Sequence, residues 1–177
     1  MKGFTGIFFI SFFLCCVVSL RAITIQLDYS YDTNGFFDQS GSREALRKVA
    51  DFFEARLVDS LAAIQPGGSN SWTAITSHPG ISGQNIQVEN LIVPEDTLIV
   101  YVGGRDLGGS LAVAGPGGYS ANGFPSFLNT LSARGQAGAL NSTSEISDFA
   151  PWGGVIIFNT SYSWNFQTAV SLSLIHI

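Results

Sequence analysis

Side chains that catalyse reactions or bind metal ions are scarce in this sequence of 177 residues. The only histidines are His78, in a predicted loop, and His176, next to the last residue. The only cysteines, Cys15 and Cys16, fall in an apolar N-terminal segment. A catalytic zinc ion needs three protein ligands. The sequence therefore predicts no catalytic residue, no metal ligand, and a chain that by itself binds no zinc and is inactive as an enzyme.

Two other arrangements of reactive residues give only weak evidence for catalysis. Serines occur in glycine-rich surroundings, but no Gly-x-Ser-x-Gly turn is present, so serine hydrolase chemistry is not indicated. Asp28 and Asp32 either share one face of a strand as a carboxylate pair or lie at a solvated strand end, and we favour the second. We also expect His78 to be a solvated loop histidine.

Two short segments carry a more specific signal. Residues 108 to 114 read Gly-Gly-Ser-Leu-Ala-Val-Ala, and residues 154 to 159 read Gly-Val-Ile-Ile-Phe-Asn, with Trp164 following. They resemble the stretches Gly-Gly-x-Leu-Ala-His-Ala and Gly-Asp-x-His-Phe-Asp that precede the zinc-binding helix of matrixin-type metallopeptidases, within the metzincins. The alternative is that both are ordinary glycine-rich turns beside strands.

The resemblance implies a secreted bacterial zinc metallopeptidase, a hydrolase that acts on extended polypeptides. Only the N-terminal half-domain is matched, because no His-Glu-x-x-His follows in this sequence. The zinc ion is therefore expected in the intact parent protein. In this family the short strand after the glycine-rich loop lines the upper wall of the cleft, which makes Leu111, Ala112, Val113 and Ala114 the expected substrate-binding residues.

The departures from the family pattern remove metal ligands. Val113 and Ile157 stand where matrixins have histidines for a structural zinc ion, and neither side chain binds metal. Val155 replaces an aspartate. Asn159 stands where the family uses an aspartate for calcium, and it is a weaker, neutral ligand. We expect no structural zinc site and at most a loose calcium ion near Asp148 or Asn159.

The first 22 residues predict a signal peptide. Lys2 is followed by an apolar run that is shorter than the ~20 residues of a membrane span, although an anchor remains the alternative. Secretion is therefore expected, and cleavage would leave no cysteine and hence no disulfide. The formal charge of −5 becomes −7 once Lys2 and Arg21 are removed, which disfavours nucleic-acid and membrane partners. The sequence leaves the oligomeric state open.

Hydrophobic periodicity predicts an α/β (α+β) fold, a twisted mixed sheet of about five strands with one long helix packed on it. The helix should begin at Ser42 as N-cap and run to Ile64, where Pro66 stops it. Expected strands cover residues 23–27, 86–91, 97–102, 111–114 and 155–158, and a short helix covers 125–134. We expect one domain over residues 23–169 and a non-native tail over 170–177.

A second function of a different class is a non-catalytic extracellular binding or surface protein. Three tryptophans could offer a carbohydrate-stacking surface, namely Trp72, Trp152 and Trp164. More often such residues fill a core. The uncharged run at residues 155–158 is β-prone, and without a covering helix it would favour self-association of this half-domain.

Overall fold

A computed structural model describes residues 23–57, 60–134 and 152–166. The expected leader, residues 1–22, and the expected tail, residues 170–177, lie outside these ranges. Seven strands and two α-helices are formed in the described ranges: β1 (Thr24–Asp28), α1 (Ser42–Glu54), β2 (Ser71–Ser77), β3 (Asn85–Glu89), β4 (Thr97–Arg105), β5 (Ala112–Pro116), β6 (Gly118–Asn122), α2 (Pro125–Ala133) and β7 (Gly153–Asn159). A 3₁₀ helix, Phe36–Asp38, precedes α1. The α+β class is confirmed.

The strands form two sheets where one was predicted. The first has the order β1-β4-β7-β5, in which β1, β4 and β7 are parallel and β5 is antiparallel to β7. The second is antiparallel, with the order β3-β2-β6. Strands β2 and β6 were missed because Thr, Ser and Gly dilute their apolar pattern. β2 alternates exposed and buried residues along its length, as expected for a strand with one face in a core.

Two apolar cores lie on opposite faces of the first sheet. One core separates the two sheets and includes Trp72 of β2, Tyr101 of β4 and Ile157 of β7, together with the apolar face of α2. The other core packs Val102 of β4 against Phe36 and Phe37 of the 3₁₀ helix, with Leu46 of α1 at its margin. The first sheet is therefore the middle layer of three.

Helix α1 is shorter than predicted. It ends at Glu54, and Phe53, expected on its buried face, is half exposed. The apolar residues Leu61 and Ile64 continue the helical spacing, but neither is helical: the backbone of Ile64 pairs with Val93 in both directions, and the Leu61 carbonyl accepts from the Asp96 amide. Tertiary backbone hydrogen bonds therefore override the helical pattern beyond residue 54.

Ser42 is not the N-cap of α1. It is the first helical residue, and Gly41, with a φ of 80°, occupies the cap position without a side-chain hydrogen bond. The Ser42 hydroxyl is instead buried and donates to the carbonyls of Phe37 and Gln39, at 3.0 and 2.7 Å. It joins the helix to the 3₁₀ helix before it.

Strand β7 is an interior strand, paired with β4 on one side and with β5 on the other. Val155 and Ile157 are buried in the core between the sheets. The prediction that residues 155–158 lack a covering layer is therefore wrong for Val155 and Ile157, because the second sheet covers their face.

None of the helices in the described ranges is long and apolar enough to cross a membrane.

Arg134, the residue after α2, forms hydrogen bonds with backbone carbonyls before and at the start of β4. Arg134 is 2% exposed and donates to the carbonyls of Ala62, Pro94 and Thr97. Burial lowers its pKa to about 10, partly offset by Asp96, so it stays charged at neutral pH. The buried charge is stabilised by these carbonyl dipoles.

One outward-facing peptide group of β1, that of Ile25, is bonded to side chains of α1. Glu54 accepts a hydrogen bond from the Ile25 amide at 2.5 Å, and Arg47 donates to the Ile25 carbonyl at 2.7 Å. Arg47 and Glu54 also pair with each other at 2.6 Å. An unpaired strand edge is a template for another strand. This ion pair therefore occupies the peptide group through which β1 would recruit one.

Removing this cap should destabilise the protein and expose the edge. We expect Glu54→Ala to lower the free energy of unfolding by about 1 to 2 kcal/mol, because the Ile25 amide and Arg47 lose a partner, and to cause self-association at high concentration. Urea unfolding and sedimentation would measure both effects. The control is Glu44→Ala, which breaks the exposed Glu44–Lys48 pair of the same helix and should cost under about 1 kcal/mol. Equal behaviour of the two variants would contradict the edge-cap interpretation.

Candidate functional site

The four residues predicted to contact substrate are consecutive at one edge of the first sheet. Leu111 is half-buried and directly precedes β5, whereas Ala112, Val113 and Ala114 lie in β5 and are exposed. β5 is the last strand in the order β1-β4-β7-β5. Among the described residues, no strand pairs with its outer side.

The hydrogen-bond pattern shows which peptide groups of β5 face outward. The Asn159 amide donates to the Leu111 carbonyl at 2.8 Å, and the Gly117 amide donates to the Gly153 carbonyl at 2.8 Å. In an antiparallel pair, inward and outward peptide groups alternate along the strand. Odd-numbered residues of this segment therefore bond to β7. Ala112 and Ala114 direct both N–H and C=O away from the sheet.

The loop that enters β5 is held by Asn159, the last residue of β7. Its side chain is fully buried, and its amide nitrogen donates to the carbonyls of Gly108 and Ser110 at 3.0 and 2.7 Å. Its side-chain oxygen accepts from the Ser161 amide at 2.9 Å. All side-chain hydrogen-bonding groups of Asn159 except spare acceptor capacity on that oxygen are thus engaged. The residue fixes where β5 begins.

These contacts argue against Asn159 as a ligand of the loose calcium ion that the sequence allowed. The atom that faces the carbonyls of Gly108 and Ser110 is a nitrogen donor, which cannot ligate a cation. Asp148, the other residue considered, lies outside the described ranges. Buried Asn159 also has no free amide for glycosylation, although it begins an Asn-x-Ser/Thr sequence.

The two positions that hold zinc ligands in matrixins are register partners here. Val113 of β5 lies opposite Ile157 of β7. Both side chains are aliphatic, and Ile157 is 1% exposed within the core between the sheets. Within residues 23–57, 60–134 and 152–166, no group of three His, Cys, Asp or Glu side chains is placed to hold a metal ion. These residues therefore do not fit zinc.

Asp28 is the last residue of β1, with its hydrogen bond in an exposed position, but Asp32 is not at the solvated strand end that we favoured. Asp32 lies beyond β1, and its carboxylate accepts from the Phe37 amide at 2.7 Å and the Gly104 amide at 3.1 Å. Asn34 donates to the carbonyls of Gly80 and Gly104, at 2.8 and 2.7 Å. Asp32 and Asn34 together anchor the loop after β1 to the C-terminal end of β4. Sequence reasoning missed Asn34 entirely.

His78 is buried, which contradicts the expected solvated loop histidine. It is 8% exposed, and its Nδ1 accepts hydrogen bonds from the amides of Gly80 and Ile81 at 3.0 and 3.1 Å. The ring meets Tyr31 edge to face. Burial, and then the charge of Arg105, lower the pKa of His78 below its ordinary value of 6.5. The neutral imidazole is therefore a structural acceptor.

The three tryptophans pack in or against the two cores, the role that the sequence favoured over a carbohydrate-stacking surface. Trp152 is fully buried, Trp72 is 2% exposed, and Trp164 is half-buried with its indole N–H bonded to the Asn159 carbonyl. Exposed aromatic side chains occur at Tyr119 and Tyr162. Replacing Trp152 would therefore disrupt the core and could not test carbohydrate binding.

Comparisons with models of known families, with curated proteins and with solved structures find no match for this chain. The arguments for function therefore rest on the sequence and on the geometry described above.

The hydrogen bonds of Asn159 predict that a nearly isosteric substitution, Asn159→Asp, strongly lowers the free energy of unfolding. In Asn159→Asp, a buried carboxylate would face the carbonyls of Gly108 and Ser110 without a donor. We expect the free energy of unfolding to fall by about 3 kcal/mol, from the lost hydrogen bonds and the buried charge. Asn122→Asp, at an exposed end of β6, is the matched control. Urea unfolding that placed the two variants within about 0.5 kcal/mol of each other would show that the loop does not depend on Asn159.

The lowered pKa of buried His78 predicts that the folded protein loses stability in acid. Because its pKa is lower in the folded state than the ordinary 6.5, the unfolded chain binds the proton more readily, and stability should fall as the pH drops from 6.5 through the folded pKa. His78→Asn keeps an acceptor near the Nδ1 position and cannot be protonated in this range. Chemical unfolding at pH 7.5 and at pH 5 should show a smaller loss for the variant. Equal losses would exclude His78 as the source.

Proposed function

We propose that this chain forms the substrate-holding wall of a secreted zinc endopeptidase, with an extended polypeptide paired along β5. The resemblance in residues 108–114 and 154–159 places the substrate rim at this segment. The observation that supports the proposal most is the open edge of β5, with Ala112 and Ala114 directing their peptide groups outward. In this proposal the zinc ion and the general base are supplied by the parent protein, since His-Glu-x-x-His does not occur in this sequence.

The contrast between the two edges of the first sheet also supports peptide binding. The Ile25 peptide group on the β1 edge is occupied by Arg47 and Glu54, whereas no described side chain bonds to the outward groups of Ala112 and Ala114. Natural proteins usually protect exposed strand edges. Among the described residues, the outward peptide groups of Ala112 and Ala114 are therefore available to a peptide, which is consistent with use of this edge as a binding site.

The expected affinity is modest. Ala112 and Ala114 offer one donor and one acceptor each, and a net gain of about 0.5 to 1.5 kcal/mol per hydrogen bond is offset by ordering of the peptide. Binding along β5 alone should therefore be weak, and side-chain contacts must supply selectivity. A weak affinity of this kind suits a substrate that must later be released.

A non-catalytic secreted binding protein is the second candidate. It is favoured by Val113 and Ile157, which leave no structural zinc site, and it would use the same open edge. The sequence of the parent gene distinguishes the two candidates. A downstream His-Glu-x-x-His with a third histidine supports the peptidase, and a stop codon soon after residue 166 supports the binding protein. Secretion is part of both proposals.

A proline substitution tests peptide pairing directly. Ala114→Pro removes one outward N–H without removing a bond to β7, so binding of an extended peptide should weaken by about fivefold, equivalent to one hydrogen bond. Binding is measured by titrating the isotope-labelled protein with a capped hexapeptide, Lys-Phe-Thr-Phe-Thr-Lys.

The matched control is Gln87→Pro. The bond from the Asn90 amide to the Trp72 carbonyl places Gln87 among the outward-facing residues of β3, at the edge of the second sheet. This variant should bind the peptide as the unaltered protein does. If Ala114→Pro also binds normally while both variants remain folded, the peptide does not pair with β5.

A further inference from the structure

The side chains of Ala112 and Ala114 share a face of the first sheet with Phe158. Ala112 is the register partner of Phe158, and Ala114 is the partner of Ile156. Paired residues project to the same side of a sheet. Phe158 belongs to the core on the α1 side, so the two alanines lie on that side, at the margin beyond Phe158.

Phe158 is part of a half-buried aromatic cluster, which we define as Phe36, Phe158, Trp164 and Phe166. Trp164 meets Phe158 edge to face at 5.0 Å, Phe36 lies parallel to Phe158 at 5.8 Å, and Phe166 stacks on Trp164 at 6.5 Å. Phe36 is buried, whereas the other three side chains are only partly covered. These partly covered rings lie on the face of the first sheet that Ala112 and Ala114 share with Phe158.

The two alanines are small and exposed, so they leave space between this cluster and a strand added at the edge. Such a strand would lie about 4.8 Å from β5. Phe158 is on β7, so it is two strand spacings, about 10 Å, from the added strand, and its ring projects from the same face as Ala112. A bulky side chain opposite Ala112 or Ala114 can therefore extend over the methyl group toward Phe158.

We propose that this edge selects extended peptides with large apolar or aromatic side chains at alternate positions. The inference rests on the proposed function and adds its specificity: the backbone pairs with Ala112 and Ala114, and alternate side chains cover Phe158 and Trp164. A second copy of this chain is a poorer occupant. Pairing β5 with β5 would bring alanines against alanines and leave the aromatic cluster uncovered.

Three capped hexapeptides test the inference on the full chain. Lys-Phe-Thr-Phe-Thr-Lys places both phenylalanines on one face of a strand, Lys-Phe-Phe-Thr-Thr-Lys has the same composition but splits them between faces, and Lys-Ala-Thr-Ala-Thr-Lys removes them. Chemical shifts of the Ala112 and Ala114 amides report edge pairing. Shifts of the Trp164 ring report contact with the cluster.

The alternating phenylalanine peptide should bind about tenfold more tightly than the alanine peptide, and more tightly than the split peptide, because its rings gain aromatic contacts. Ala112→Leu should reduce this preference to about twofold or less by filling the space beside Phe158. Ala133→Leu, at an exposed position of α2, should leave the preference unchanged.

Each other outcome is decisive. Equal affinities, with shifts at Ala112 and Ala114 but none at Trp164, overturn the inference and leave the proposed function standing. Absence of edge shifts with every peptide overturns both. A concentration-dependent dimer that protects the Ala112 and Ala114 amides without peptide identifies a second copy as the occupant and also overturns the inference.

Discussion

The structure depends on one crossing, where the chain passes from the first sheet to the second over the indole of Trp152. β5 ends at Pro116 and β6 begins at Gly118, so only Gly117 separates a strand of one sheet from a strand of the other. A Cβ atom on Gly117 would overlap the Trp152 ring, and only glycine fits there without a shift. The Trp152 indole donates to the Gly118 carbonyl at 2.9 Å. The crossing fixes β5 as the edge of the first sheet.

This crossing links packing to the binding surface. Trp152 is fully buried between the sheets, and its carbonyl accepts from the Ile99 amide at the start of the pairing between β4 and β7. At its other end, β5 is set by Asn159. Both ends of a five-residue strand are therefore fixed by polar contacts of buried side chains, while no strand within the described ranges pairs with its outer peptide groups. A rigid, unpaired edge is suited to an extended peptide because little backbone order is lost by the protein on binding.

Sequence patterns predicted the α+β class, the positions of β1, β4 and β7, and the location of β5. β1 alternates apolar and polar residues, β4 and β7 have continuous apolar runs, and β5 lies in a short glycine-bounded motif, all of which are local signals. The division into two sheets was not predictable, because it depends on contact between Gly117 and Trp152, which are 35 positions apart. The end of α1 was missed for a similar reason, since Ile64 bonds to Val93. The roles of Asp32 and His78 were also missed, because both side chains bond to backbone groups that sequence spacing does not reveal.

The most direct measurement is hydrogen exchange of the individual β5 amides in the free protein at neutral pH. The amides of Val113 and Gly115 should exchange slowly because they bond to β7, and the amides of Ala112 and Ala114 should exchange at least about tenfold faster because they face solvent. Adding an extended peptide should slow Ala112 and Ala114 alone. Uniform protection along β5 without peptide, or protection of Ala112 and Ala114 that no peptide changes, would contradict an open binding edge.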